Sequence, residues 1–158
     1  MVSAGASASV SAADGTVPGM ALDTDVRDRL FASGAIPILA IERPGRAPVA
    51  VPIWHAVEPD GTAWIVTPRD SLKARLLREA GRCALVVDEV EPEVRYASAE
   101  CDVVAERPAT REDAARMARR NLPPEAAEAY IAWAEGGGIG PEVVFVLRPV
   151  AWLSAQMG

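Results

Sequence analysis

The sequence has few of the residues that catalytic and metal sites most often use. Its 158 residues include one histidine, His55, and two cysteines, Cys83 and Cys101. One histidine excludes sites with two histidine ligands. The cysteines form neither a CxxC pair nor another metal-binding spacing, so we expect no metal and two buried, reduced thiols. His55 is interpreted as a satisfied or half-exposed strand residue, because no G-x-S-x-G elbow accompanies it.

Nucleotide-binding motifs and membrane signals are also lacking. The glycines of residues 136–140 come without the lysine of a P-loop and follow a predicted helix rather than a strand. No apolar run is long enough to span a bilayer, and residues 1–19 have neither the basic nor the apolar region of a signal peptide. The net charge of -6 disfavours a nucleic-acid partner. We therefore predict a cytoplasmic protein that binds neither nucleic acid nor membrane.

The length suits one domain with a substantial core. Residues 1–22 are rich in small and polar residues and are predicted to form a disordered N-terminal tail. Residues 23–158 are predicted to form the folded domain.

Turn signals divide this domain into a helix, three strands, a helix, two strands, two helices and one or two final strands. The second predicted strand, residues 48–57, contains Pro52, which removes a ladder donor and marks an edge, a bulge or an opening of the sheet. Pro149 is predicted to divide the last strand. Six or seven strands with hairpin connections favour a mainly β (α+β) fold, an antiparallel barrel with flanking helices.

Residues 67–77, with the sequence TPRDSLKARLL, are predicted to contain a strand end, a tight turn and a helix start capped by Asp70 or Ser71. Lys73 and Arg75 then fall in the first turns, where the helix dipole disfavours bases. A phosphate bound to the free N–H groups would explain that placement. An amphipathic helix with solvated bases is the alternative, and this stretch alone does not decide between the two.

Three segments resemble the pyridoxamine 5'-phosphate oxidase-like split-barrel family: GRAPVAVPIWHAV, GTAWIVTPRDSLKARLLREAGRCALVVDE and EVRYASAECDVV. A later run, ARRNLPPEAAEAYIA, is similar to the family as well. The resemblance covers most of residues 25–152, and its Ser-x-Lys-Ala-Arg segment is the most specific part. Together with the strand count, it implies a six- to seven-stranded antiparallel split β-barrel. It also implies a homodimer with two cofactor sites at the dimer interface.

Members of this family bind FMN or the deazaflavin coenzyme F-420, and a few bind haem. The resemblance assigns the phosphate end of the cofactor to Ser71, Lys73, Ala74 and Arg75. It places Thr67 against either the phosphate or the ribityl chain. It assigns the cofactor ring to a second set: Val51, Pro52, Ile53 and Trp54. The phosphate site implied by the resemblance coincides with the anion site that the residues themselves suggest.

The resemblance implies an oxidoreductase in which reduced coenzyme F-420 reduces a small unsaturated or carbonyl-conjugated molecule. Three alternatives stay open: an FMN-dependent enzyme of the same fold, a flavin-binding carrier or sensor without turnover, and a dimeric scaffold with an empty pocket. No side chain is identified as catalytic. Solvent, His55 and Tyr96 are the candidates for a proton donor.

Overall fold

Seven β-strands form one antiparallel sheet in a computed structural model that describes residues 19–157. The strands are β1 (Ile38–Ile41), β2 (Val49–Pro52), β3 (His55–Val57), β4 (Ala63–Pro68), β5 (Arg82–Glu89), β6 (Val94–Pro108) and β7 (Glu142–Met157). Within residues 19–157, four helices flank the sheet: α1 (Thr24–Phe31), α2 (Leu72–Ala80), α3 (Arg111–Asn121) and α4 (Pro124–Trp133). A π-helical turn, Ala134–Gly138, follows α4.

The strand order is β2-β1-β5-β6-β7-β4-β3, so β2 and β3 are the two edges and the sheet is not closed. One buried cluster nevertheless contains Leu39 of β1, Ile65 of β4 and Phe145 of β7. The sheet therefore curls around this cluster, with its two edges left apart. The predicted fold class, mainly β (α+β) with flanking helices, is confirmed.

The two edge strands come from the single strand predicted over residues 48–57. Ile53 and Trp54 separate β2 from β3, and the Ile53 N–H donates to the Pro37 carbonyl at 3.0 Å instead of continuing a ladder. β2 pairs with β1, whereas β3 pairs with β4 at the other side of the sheet. Of the three possibilities that Pro52 raised, the structure shows an edge position and an opening of the sheet.

The prediction that Pro149 divides the last strand was wrong, since β7 runs without a break from Glu142 to Met157. The register passes from Ala151 opposite Glu100 to Pro149 opposite Cys101, which leaves Val150 as an extra residue. A β-bulge of this kind bends and twists a strand. Pro149 is tolerated because it lies at this irregularity in the ladder.

The outer surface of the sheet has a covered half and an uncovered half. On the covered half, Trp64 of β4 and Val144 of β7 pack with Met117 of α3. The uncovered half, which we call the open face, has no helix over it among residues 19–157. By strand alternation it presents these residues: Ile38 and Ala40 of β1, Ala50 and Pro52 of β2, Ala84 and Val86 of β5, Ser98 and Glu100 of β6, and Ala151 and Leu153 of β7.

Most of the tail predicted over residues 1–22 lies outside the described residues, which begin at Gly19. Of the part that is described, Met20 forms a two-way backbone bridge with Gln156 (N–O distances of 3.1 and 2.8 Å), and Leu22 packs against the core. In the range 19–157, no helix has both the length and the apolar character that crossing a membrane requires.

Candidate functional site

The start of α2 is held by a small hydroxyl network. Ser71 is the N-cap, and its Oγ accepts a hydrogen bond from the Ala74 N–H at 3.1 Å. Thr67, at the end of β4, is 1% exposed, and its hydroxyl lies 3.1 Å from the Ser71 Oγ. The Arg69 N–H donates to the Pro141 carbonyl at 2.9 Å, which fastens the turn to the residue before β7. The direction of α2 is therefore set by the end of β4 and the start of β7.

Packing of α2 places its cations outside. Ala74 and Leu77 are fully buried in the core, while Leu72 is 38% exposed. Gly81 ends the helix with a φ of 65°, a left-handed conformation that glycine adopts without the steric cost of a Cβ. Lys73 is half-buried and Arg75 is exposed.

The basic side chains around α2 differ in their partners. Arg78 and Arg82 pair with Glu106 and Glu42, at 2.6 and 3.3 Å. Lys73 and Arg75 form no hydrogen bond or salt bridge with any side chain in residues 19–157. The first turn of α2 contains no acidic residue. Two uncompensated cations therefore lie at the positive end of the helix dipole.

The backbone at this point also has free donors. The Ala74 N–H donates to the Ser71 Oγ, and the Arg75 N–H donates to the Ser71 carbonyl at 3.1 Å, so neither is free. The N–H groups of Leu72 and Lys73 have no acceptor among the described residues. Free N–H groups beside two cations have the chemistry of a phosphate-binding helix start.

A cavity of about 330 Å³ opens where the sheet is interrupted between β2 and β3. Pro52, Ile53 and Trp54 line it, together with Val66 of β4. The Trp54 ring meets the Tyr130 ring of α4 edge to face, with centroids 5.5 Å apart. Three of the four residues predicted to lie along a cofactor ring thus line one largely apolar cavity. The fourth, Val51, is half-buried on β2 opposite Leu39 and directly precedes the lining residue Pro52 in the sequence.

A second cavity, of about 250 Å³, adjoins the first and lies between α3, α4 and the segment before β7. Ala114, Tyr130 and Glu142 line both cavities. Glu142 pairs with Pro68, the residue that leads into α2. The two cavities and the start of α2 therefore lie at the same end of the sheet, although none of residues 67–75 lines either cavity.

The titratable groups at this junction are perturbed by their surroundings. Burial raises the pKa of the Glu142 carboxyl. Burial, and secondarily the charge of Glu142, raises the pKa of the Tyr130 hydroxyl. The sequence analysis missed both residues. The only sequence signal for Glu142 is its position as the one charged residue at the head of the apolar run VVFVL.

The predicted phosphate residues differ in what they expose. Lys73 and Arg75 present cationic side chains, and Ser71 presents its hydroxyl at the helix start. Thr67 is buried and orients Ser71 through its hydroxyl. Ala74 is fully buried, so its side chain packs in the core. Its N–H donates to the Ser71 cap and is therefore not free for a phosphate.

His55 is a structural residue. It is 1% exposed, and its Nε2 donates to the Phe31 carbonyl at 2.6 Å. Burial lowers its pKa, so the ring is neutral at pH 7. Neither His55 nor Tyr96 lines the two cavities. Across residues 19–157, no cluster of three His, Cys, Asp or Glu residues is placed to hold a metal ion.

A larger cavity, of about 580 Å³, lies between α1 and the turn that joins β3 to β4. It is lined by charges of both signs, including Arg27 and Asp28, which pair with each other at 2.7 Å. Arg27 also lies 4.2 Å above the ring of Trp152. None of the residues predicted to bind a cofactor lines this cavity.

No protein-family model matches the chain, and no curated protein does. Solved structures do resemble it. An F-420 reductase shares 18% identity with a TM-score of 0.62, over 80% of this chain and 94% of that one. A FAD-binding protein from Mesorhizobium loti shares 14% identity with a TM-score of 0.60, over 88% of this chain and 98% of that one. A candidate pyridoxamine 5'-phosphate oxidase from Corynebacterium glutamicum shares 12% identity with a TM-score of 0.55, over 89% and 94%. At these identities the similarity shows the fold, which is the pyridoxamine 5'-phosphate oxidase-like fold that the sequence predicted.

Proposed function

We propose that this protein is a homodimeric oxidoreductase that holds a flavin-type cofactor between the start of α2 and the cavity beside β2. The observation that carries the proposal is that an unsatisfied anion site and an apolar cavity lie at the same end of the sheet, where Val66 of the cavity lining directly precedes Thr67. Glu142 connects the two, because it lines the cavity and pairs with Pro68 just before α2.

The start of α2 suits the phosphate end of such a cofactor. Lys73 and Arg75 have no competing carboxylate, and the Leu72 and Lys73 N–H groups are free among the described residues. The Ser71 hydroxyl already bonds to the Ala74 N–H and the Thr67 hydroxyl, and it keeps one site, which is its own donor when Thr67 donates to it. These residues would bind and orient the phosphate, so the helix dipole, the free N–H groups and both cations would act on one charge.

The cavity suits the ring end. Ligand sites are mostly apolar clefts of roughly 300–1,000 Å³, and the cavity beside β2 reaches that size. Ile53, Trp54 and Val66 supply flat or apolar surfaces that would exclude water from a bound ring. A bound flavin or deazaflavin supplies the hydride chemistry, and the protein supplies binding, orientation and a dry environment.

Among the cofactors, we favour the deazaflavin coenzyme F-420 and a small unsaturated or carbonyl-conjugated substrate. One structural neighbour is an F-420 reductase, which supports this choice. FMN is the alternative cofactor, since another neighbour is a FAD-binding protein and both fit a phosphate site joined to an apolar cavity.

The open face supports the dimer. Ile38 is 39% exposed and Leu153 is 59% exposed. Between them lie Ala40, Ala84, Val86 and Ala151, with Ser98 and Glu100 as the two polar residues. Proteins rarely leave a large, contiguous apolar surface in water. Pro52 belongs both to the open face and to the cavity, so a second copy on this face would also border the cofactor site.

The test is a titration of purified protein with FMN and with coenzyme F-420, followed by visible absorbance and fluorescence. We expect saturable binding of one cofactor, with F-420 the tighter. If neither cofactor binds at micromolar concentration, the proposal fails. Reduced cofactor is then offered with a panel of quinones and enones. Binding without substrate-dependent reoxidation would identify a carrier or sensor instead of an enzyme.

A further inference from the structure

Glu142 stands at the junction of the two cavities, and its backbone is held on both sides. The Glu142 carbonyl accepts a hydrogen bond from the Ala109 N–H at 2.9 Å, and Glu142 is paired with Pro68 of β4 in the sheet. Its side chain lines both cavities and has no hydrogen-bond or salt-bridge partner in the part of the chain that the structure describes. The carboxylate is half-buried and still reaches water, since no fully buried side-chain oxygen among residues 19–157 lacks a hydrogen-bond partner. A ligand amine or hydroxyl in the cleft would replace that water with a charge-assisted hydrogen bond.

The charged groups around Glu142 do not neutralise it. Arg111 and Glu135 line the outer cavity, and Tyr130 lines both cavities. Arg107, near the end of β6, donates to the Asp113 carboxylate at 2.6 Å, so its charge is paired with Asp113 rather than with Glu142. Arg111 forms no hydrogen bond or salt bridge with Glu142 within residues 19–157, and burial raises the pKa of the Glu142 carboxyl.

We propose that the two cavities form one substrate cleft in which Glu142 is the specificity residue, selecting small conjugated molecules that present a protonated amine or a hydroxyl. The assignment rests on the proposed function, in which the cofactor ring occupies the Trp54 side and leaves the outer cavity to the substrate. A donor group on the substrate would meet the unpaired carboxylate, and a cationic donor binds more strongly than a neutral one. A carboxylate on the substrate would be repelled.

Three probes of nearly equal size separate these head groups: benzylammonium, benzyl alcohol and benzoate. Protein-detected NMR titration at pH 7 gives each dissociation constant for wild type and for Glu142→Gln. We expect benzylammonium to bind wild type about tenfold more tightly than benzoate, with benzyl alcohol between them. In Glu142→Gln the ratio should fall to roughly threefold or less. Glu125→Gln, which removes an exposed carboxylate of α4 that lines neither cavity, is the matched control and should keep the wild-type ratio.

A pH series on wild type tests the same residue without a substitution. Burial raises the pKa of Glu142, so its carboxylate is protonated at a higher pH than an ordinary glutamate. Benzyl alcohol does not titrate, so the affinity for benzylammonium relative to benzyl alcohol should decline as the pH falls through that raised pKa. The Glu142→Asp variant should keep the order of the probes with a smaller ratio.

The proposal is overturned if Glu142→Gln keeps the wild-type order, if benzoate binds most tightly, or if benzylammonium does not bind at millimolar concentration. A parallel titration with FMN and coenzyme F-420 separates this outcome from the proposed function. Loss of probe selectivity with intact cofactor binding overturns the role of Glu142 alone. Absence of cofactor binding with intact selectivity overturns the cofactor assignment and leaves Glu142 as the specificity residue of another cleft.

Discussion

Replacing Lys73 with alanine tests the anion site at the start of α2. Lys73 is half-buried, forms no salt bridge within residues 19–157, and lies on a helix whose packing depends on Ala74 and Leu77. Its loss should change the free energy of unfolding by less than about 0.5 kcal/mol, as for most surface substitutions. Removing a base from the positive end of the helix dipole even favours the helix slightly.

The effect on cofactor binding should be much larger. A hydrogen bond to a charged group contributes roughly 1.5–3 kcal/mol, which corresponds to about a 10- to 150-fold increase in the dissociation constant. The Ser71 cap and the free N–H groups remain in the variant, so binding should weaken rather than disappear. Added inorganic phosphate should compete with the cofactor for wild type, and added salt should weaken binding.

The assay is fluorescence titration of wild type and Lys73→Ala with FMN and with coenzyme F-420, beside thermal melts of both proteins. The matched control is Arg46→Ala, which removes the same charge from the exposed turn between β1 and β2, away from Pro52. Equal affinity of wild type and Lys73→Ala for both cofactors would refute the anion site. An equal loss in Arg46→Ala would show a general effect of net charge instead.

Three further predictions concern the rest of the molecule. Leu153→Glu should convert the dimer to monomer in sedimentation, while Val90→Glu, in the loop after β5, should not; a wild-type monomer would contradict the assembly outright. The hydrogen bond from Arg107 lowers the pKa of Asp113 to about 2, so its contribution to stability is complete above its unfolded-state pKa and is lost as the pH falls through about 2. Asp113→Asn should therefore lower the free energy of unfolding at pH 7 by about 1 kcal/mol, measured as a lower melting temperature. The difference in melting temperature between wild type and variant should shrink between pH 4 and pH 2, and a constant difference would disprove the linkage. Both cysteines are buried in the core, so Ellman's reagent should react with them only in denaturant, and rapid labelling of the native protein would show that this packing is wrong.

Helix caps and strand alternation were predictable because they depend on neighbouring residues. Ser71 caps α2 as one of two named candidates. Alternation predicts that Ala97, Ala99, Cys101, Val103 and Ala105 of β6 face inward; the first three are buried, whereas Val103 is half-buried and Ala105 is exposed beyond a register shift. The edge position of Pro52 also follows locally, from its missing N–H group.

Other features depended on what each element packs against. A helical pattern treats Leu72 and Ala74 alike as apolar, yet packing against β1, β4 and β5 buries Ala74 and leaves Leu72 exposed. The sequence showed an interruption at Pro52 but not that the chain crosses there from one sheet edge to the other. That crossing is decided by the pairing of β2 with β1 and of β3 with β4.

By itself, the sequence determined the mainly β fold class, the capped start of α2 and the local excess of positive charge beside it. Those properties follow from periodicity, side-chain chemistry and spacing within a few residues. Only the tertiary structure brought Trp54, Tyr130 and Glu142 to one cleft, because they come from the β2–β3 connection, α4 and β7 and are separated by up to 88 positions along the chain. A carboxylate at the head of an apolar strand looks like an ordinary solubilising charge in sequence. It becomes a candidate specificity residue because the surrounding helices partly remove it from water and offer it no partner.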